Sequence, residues 1–397
     1  MVKELYYEDP YGKEFSAEIV DIGSVDGELV LSLDKSLFYP EGGGQPSDRG
    51  KLWNDDVSLR VVDVKKDDGI RHFCEVEEGV SDNLSSEDAI TGRIDWGRRY
   101  EIMKQHSGQH ILSSVFLDRF GANTSSFSID ENYTRINIGF EGELTWDKIK
   151  KVERETNELI WSSDPINISW HEEVPEDIRK KPPEVDKIRV VRVGDYDATP
   201  CGGLHVNKTS EIGLVKVIGF KRSSPSEWKI KFLAGERALK NYQSELINLE
   251  EMRKYLKAEG SEEVLKTLKK LKKENKELNE RIIDLKGDLL KKKMEKIENY
   301  NLLIEKTDLN FKTAEKISKK LLNKENTLIC LISENKALIG SNNIEINCNN
   351  ILNEVLEQHG GRGGGHKRFA QGGFPEKNKE KVLKTFKEKI KKELNLN

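Results

Sequence analysis

The chain has 397 residues, with 66 Lys+Arg against 70 Asp+Glu and 36% hydrophobic residues. That length exceeds one ordinary core and predicts two to four domains, and no apolar run approaches a membrane span. Four scattered cysteines (Cys74, Cys201, Cys330, Cys348) form no CxxC and exclude a disulfide framework. The opening "MVKELYYEDP" has no apolar stretch after its lysine, so no signal peptide, no membrane and a cytoplasmic location are expected.

Charge is unevenly spread. Residues 1–95 hold 10 basic against 23 acidic residues, while residues 361–397 hold 11 against 4. Such asymmetry fits one end meeting a polyanion, although a lysine-rich tail also reads as a solvated helix face.

In residues 1–95, the short alternating runs "AEIVDIG", "GELVLSLD", "SLRVVDVKK" and "IRHFCEVE" are separated by turn signals. "KKDDGI" predicts a hairpin, and a small β-barrel is the expected arrangement. A helix is expected from about Arg98 to Phe120, stopped at Gly121. Residues 127–140 read as a strand pair and "TWDKIKKVERETNELIWSS" as an amphipathic helix, with strands in "KIRVVRVG" and "IGLVKVIGF". This interleaving predicts an α+β domain.

Beyond residue 260 the period changes. Val264, Leu268, Leu271, Asn275, Leu278, Ile282, Leu285 and Leu289 fall at alternating steps of four and three, a heptad seam with one asparagine at an a position. The pattern fits a dimeric coiled coil or an internal helical hairpin. A short α/β pattern follows, ending in "HGGRGGGHKRFAQGGF" and a lysine-rich helix.

Two histidines of the predicted first helix, His106 and His110 in "KQHSGQHILSS", continue its inward stripe with Met103 and Leu117. Buried imidazoles need a partner, and a pair at i, i+4 reaches a single ion. Ser107 stands where an HExxH protease carries its general base, which disfavours a peptidase. Gly108 costs about 1 kcal/mol of helix propensity and suggests close approach of something to the helix. In "ATPCGGLHVNKTSEIG", Cys201 and His205 repeat the spacing. Three histidines and one thiolate suit tetrahedral zinc. His72 beside Cys74 reads instead as sheet packing. The three glycines of "LDKSLFYPEGGGQPSDRG" either expose backbone N–H groups to a ligand or form a tight β-turn.

"SLFYPEGGGQPSDRG", "HSGQH" and "CGGLH", in this order, resemble the editing domain of alanyl-tRNA synthetases and their free-standing relatives, the AlaX trans-editing proteins. "GGRGGGHKRFAQGG" resembles the C-terminal domain of those synthetases. The match spans nearly the whole chain and corresponds to a long-form AlaX.

The resemblance implies a layout: a β-barrel domain (1–95), an α+β zinc editing domain (96–238), a helical coiled-coil linker (239–300), and a glycine-rich α/β domain (301–397) for tRNA binding or oligomerisation. No aminoacylation core is expected. The implied activity is zinc-dependent, trans-acting hydrolysis of Ser-tRNA(Ala) and/or Gly-tRNA(Ala), a second site needed because a pocket discriminates poorly between small side chains.

Carried over residue by residue, His106, His110, Cys201 and His205 hold one Zn2+ per chain. Ser36 and Gln45 serve catalysis, and Gly42, Gly43, Gly44 and Ser126 line the substrate pocket. Arg362, Gly363, Gly364, Gly365, His366, Lys367 and Arg368 form a backbone-exposing loop facing tRNA. Serine replaces the family's threonine at position 36, leucine its threonine at 204, and serine its frequent histidine at 128. A homodimer through the linker and C-terminal domain is a further expectation. The alternatives are a non-catalytic zinc-containing tRNA-binding protein and a zinc hydrolase of other aminoacyl esters.

Overall fold

The computed structural model describes residues 2–181, 187–342 and 345–396. It divides into two compact units, residues 1–249 and 250–397.

The first unit opens with β1 (Lys3–Glu4) and α1 (Leu5–Glu8), followed by β2 (Glu14–Val25), β3 (Glu28–Leu33), β4 (Lys35–Ser36), β5 (Gly50–Trp53), β6 (Val57–Lys66), β7 (Ile70–Gly79) and β8 (Ala89–Ile94). A closed barrel forms in the order β2-β3-β7-β6-β5-β8, while β1 pairs in parallel with β4. In β2, buried Phe15, Ala17 and Ile19 alternate with exposed Ser16 and Glu18, so one face fills the barrel. Asp26 and Gly27 both have positive φ, as the two-residue turn between β2 and β3 requires.

His72 is buried in this barrel, its Nε2 2.8 Å from Ser36 Oγ and its Nδ1 3.0 Å from the Leu31 carbonyl. Nδ1 donates to the carbonyl, leaving Nε2 to accept from the hydroxyl. Burial pushes the imidazole down to about 4. The unfolded chain, titrating near 6.5, therefore takes up the proton first, and stability falls as pH drops from about 6.5 toward 4. The expected loss over that window is about 3 kcal/mol. Urea unfolding at pH 7 and 4.5 should show a larger drop in the parent chain than in His72→Gln; equal drops would contradict this.

α2 (Trp96–Phe120) follows. Asp95 caps it by accepting from Arg98 N, and Gly121 ends it with φ 61. Nearly every residue from Ile102 to Phe116 is buried, so α2 is the central helix of this unit. Around it stand β9 (Thr124–Ile129), β10 (Thr134–Gly139), α3 (Trp146–Trp161), β11 (Ile166–His171), β12 (Ile188–Val193), β13 (Asp197–Pro200), β14 (Val215–Ser224) and β15 (Glu227–Ala234). These strands form the sheets β14-β15-β10-β9 and β11-β12-β13. What approaches Gly108 is protein: a Cβ there would lie 3.0 Å from Val215 Cγ2 and 3.4 Å from Ala234 Cβ.

α4 (Gly235–Leu256) reaches the boundary of the second unit, which contains α5 (Ser261–Lys292). Val264 is buried, but the rest of the apolar seam, from Leu268 to Leu289, is exposed. Then come β16 (Glu295–Ile297), β17 (Tyr300–Thr307), α6 (Phe311–Leu321), β18 (Thr327–Ser333), β19 (Lys336–Asn342), α7 (Cys348–Glu357), β20 (Arg362–His366), β21 (Phe369–Gly373) and α8 (Lys379–Glu393). The sheet order is β16-β17-β18-β19-β21-β20. The glycines expected in a loop are thus an exposed edge strand, held by backbone pairing to β21. No helix among the described residues is long and apolar enough to cross a membrane.

Candidate metal centre and cavity

α2 presents His106 and His110 one turn apart, and the segment after β13 brings Cys201 and His205 to them. One ligand atom from each of the four lies within 4.8 Å of all the others. Cys201 Sγ is 3.3 Å from His106 Nε2 and 3.4 Å from His205 Nε2. Such spacings suit the edges of a tetrahedron around one ion with bonds of about 2.0–2.3 Å.

The remaining imidazole nitrogens are all engaged. Nδ1 of His106 lies 2.8 Å from Gln45 Oε1, that of His110 3.1 Å from Asp197 Oδ2, and that of His205 3.1 Å from Ser107 Oγ. With each Nδ1 tied to an outer group, the Nε2 atoms are left to a shared ion, the usual construction of a histidine metal site. Burial alone would raise the Cys201 thiol, but the imidazoles of His106 and His205 carry it well below its ordinary range. That shift favours the thiolate, the form that ligates metal. Burial would lower His110, yet Asp197 and Cys201 raise it to about 9, so a metal ion there would displace the Nε2 proton. Burial and the neighbouring His106 push His205 well down. The donor set fits a metal ion.

The loop carrying Cys201 is clamped from several sides. Arg189 Nη1 donates to the carbonyls of Cys201 (2.6 Å) and Gly203 (2.8 Å), and the hydroxyls of Tyr7 and Tyr39 donate to that of Gly202. Gly203 admits no side chain, since a Cβ would fall 2.1 Å from His106 Cε1. Arg179 bonds Asp197 at 2.8 Å and so braces the carboxylate behind His110.

A cavity of about 590 Å³ opens over His106, His110 and Cys201. Gly42, Gly43 and Ser126 line it, as do Lys66 and Arg179, which pair with Glu4 and Asp197, and Lys180, whose charge is unpaired among the described residues. Gly44 does not line it: with φ 87, this residue packs on Phe127, and its carbonyl accepts from Ile129 N. Gln45 is buried behind the histidines, its Oε1 also accepting from Leu204 N at 3.0 Å, so it positions His106 and the Cys201 loop. Ser36 is not brought to the cavity. Its hydroxyl is committed to His72 and to Phe38 N inside the barrel. Arg362–His366 and the Lys367-Arg368 turn belong to the second unit, where His366 and Arg368 flank a smaller cleft with Lys319 and Phe369.

Asp197, Ser107, Arg189 and Tyr7 escaped sequence reasoning. Asp197 alone left a trace, an acid four residues before Cys201 in "DATPC".

The family model for the threonyl and alanyl tRNA synthetase second additional domain matches residues 188–231, and that for class II (A) tRNA synthetases matches residues 9–98. The DHHA1 domain model matches residues 299–392. The class is thereby that of alanyl-tRNA synthetase relatives. The alanyl-tRNA editing protein AlaX-L of Pyrococcus horikoshii is 34% identical, covering 99% of this chain and 100% of that protein. The chain belongs to the AlaX-L family of alanyl-tRNA editing proteins. The alanine–tRNA ligases of Pyrococcus abyssi and Methanospirillum hungatei are 28% and 30% identical over 96% and 95% of the chain. The chain spans 42% of the length of each ligase.

Proposed function

We propose that the chain is a trans-editing hydrolase that deacylates Ser-tRNA(Ala) and/or Gly-tRNA(Ala), with one zinc ion held by His106, His110, Cys201 and His205. The observation that carries this reading is the cluster of three imidazoles and one thiolate opening on a cavity, in a chain of the alanyl-tRNA editing family. When bound, zinc with these four ligands would either position the substrate or, through a fifth position or a displaced ligand, supply Lewis-acid chemistry.

The reaction breaks the ester bond between the amino acid and the 3′-terminal ribose; water provides the new carboxylate oxygen and the ribose hydroxyl leaves. Gly43 lines the cavity, and its N–H takes no part in the turn's hydrogen bonds, which are made between Gly42 and Gln45. It is a donor for the developing oxyanion. Lys180 forms no ion pair among the described residues, so its ammonium is available to a phosphate near the tRNA 3′ end. Arg362 of β20, the exposed Lys367-Arg368 turn after it and the lysine-rich tail, in the other unit, are the candidates for a second tRNA contact. The exposed seam of α5, with Asn275 at an a position, favours a homodimer.

Deacylation of Ser-tRNA(Ala), Gly-tRNA(Ala) and Ala-tRNA(Ala) side by side tests the proposal. Loss of the first two with Ala-tRNA(Ala) surviving is expected. Tight binding of all three without turnover would assign a non-catalytic role, and indifferent hydrolysis of all three would make it a general aminoacyl esterase.

A further inference from the structure

We propose that Gln109 reads the substrate side chain: its amide oxygen accepts a hydrogen bond from the hydroxyl of a seryl group esterified to tRNA. The inference rests on the deacylase reading above. Gln109 lies in α2 between two of the clustered histidines, lines the cavity and is only 5% exposed. One of its two N–H donors is used, with Nε2 donating to Ser113 Oγ at 2.8 Å, and Thr124 Oγ1 donating to the same Oγ at 2.7 Å. That bond fixes the amide plane. It leaves Oε1 as an acceptor with no protein donor among the described residues, yet not among the atoms sealed from solvent. A polar atom in so buried a side chain needs a partner, and here only the cavity can provide one.

An acceptor takes a donor, and a seryl ester brings two, its ammonium and its hydroxyl. The ammonium suits a carboxylate. Glu41 lines the same cavity and makes no ion pair or side-chain hydrogen bond among the described residues. The neutral amide is left to the neutral hydroxyl. A site built around such a bond disfavours a substrate lacking the hydroxyl, because the acceptor is then left unpaired. Alanyl and glycyl esters both leave Oε1 bare, so Gln109 sets serine apart from either.

The test uses the full-length, metal-loaded chain. Calorimetry with hydrolysis-resistant 3′-serylamido- and 3′-glycylamido-adenosine gives a seryl-to-glycyl affinity ratio, and kcat/KM on Ser-tRNA(Ala) and Gly-tRNA(Ala) gives the kinetic counterpart. Gln109→Met is expected to lower both ratios by about tenfold. Ser113→Ala frees the amide to rotate and should also lower the ratios, a second route should Gln109→Met lose its metal. Unchanged ratios would overturn the assignment. Equal losses on seryl and glycyl ligands would also overturn it, placing the contact at the ammonium. A parent chain that prefers the seryl analogue yet hydrolyses neither ester would sink the deacylase reading while supporting the contact.

Discussion

Cys201→Ala is expected to strip the chain of its metal and to lower kcat/KM on Ser-tRNA(Ala) by more than a hundredfold. The size follows from position. Changes in the groups that orient metal ligands typically cost about 10–100-fold in metal affinity or activity, and Cys201 is itself a ligand in this account. Its sulfur stands within 3.4 Å of two imidazole nitrogens, so no other side chain can replace it without moving the loop that Arg189, Tyr7 and Tyr39 hold. Asp197→Asn should fall in the milder range, because it weakens only the bond to His110 Nδ1. Native mass spectrometry reads both effects directly. A Cys201→Ala chain that kept a stoichiometric metal would dismiss the ligand set.

The second large effect concerns folding. Arg99 is fully buried and Asp48 is 2% exposed, and they form an ion pair. Arg99 also donates to the carbonyls of Leu37 (2.6 Å) and Pro10 (3.0 Å), while Asp48 accepts from Tyr39 N at 2.6 Å. This pair ties the first turn of α2 to the segment that leads into Gly42 and Gly43. Arg99→Met leaves a buried carboxylate without its cation, which typically costs about 3–5 kcal/mol. For a unit of this size the corresponding drop in Tm is roughly 10 °C. Arg99→Met/Asp48→Leu should recover much of the loss, since two apolar residues remove the stranded charge. Scanning calorimetry distinguishes these outcomes. A single variant melting within a degree or two of the parent would mean that the carboxylate is relieved some other way.

The parts legible in the sequence are those fixed by local spacing. His106 and His110 share a helix face because four residues make about one turn, and Cys201 and His205 lie on one short loop. The alternation in β2 announced a barrel strand in the same way. What escaped depends on contacts across the fold. Ser36 is expected in catalysis because it falls where the family carries threonine. The short pairing of β4 with β1 instead places it against His72, 36 residues away in sequence. Gln45, next to the glycines, seemed to face substrate, yet it lies behind His106. Asp197 and Ser107 gain their roles only when β13 and α2 meet. The glycines of β20 read as a loop because side-chain pattern is what marks a strand. There the backbone alone pairs with β21, so no pattern was available.

Ester hydrolysis is proposed to occur at the cluster of His106, His110, Cys201 and His205. The most direct measurement is Ser-tRNA(Ala) hydrolysis by the full chain before chelation, after chelation, and after adding back one equivalent of zinc. Activity should disappear with the metal and return in proportion to zinc bound. Undiminished hydrolysis by a metal-free, folded chain would contradict it.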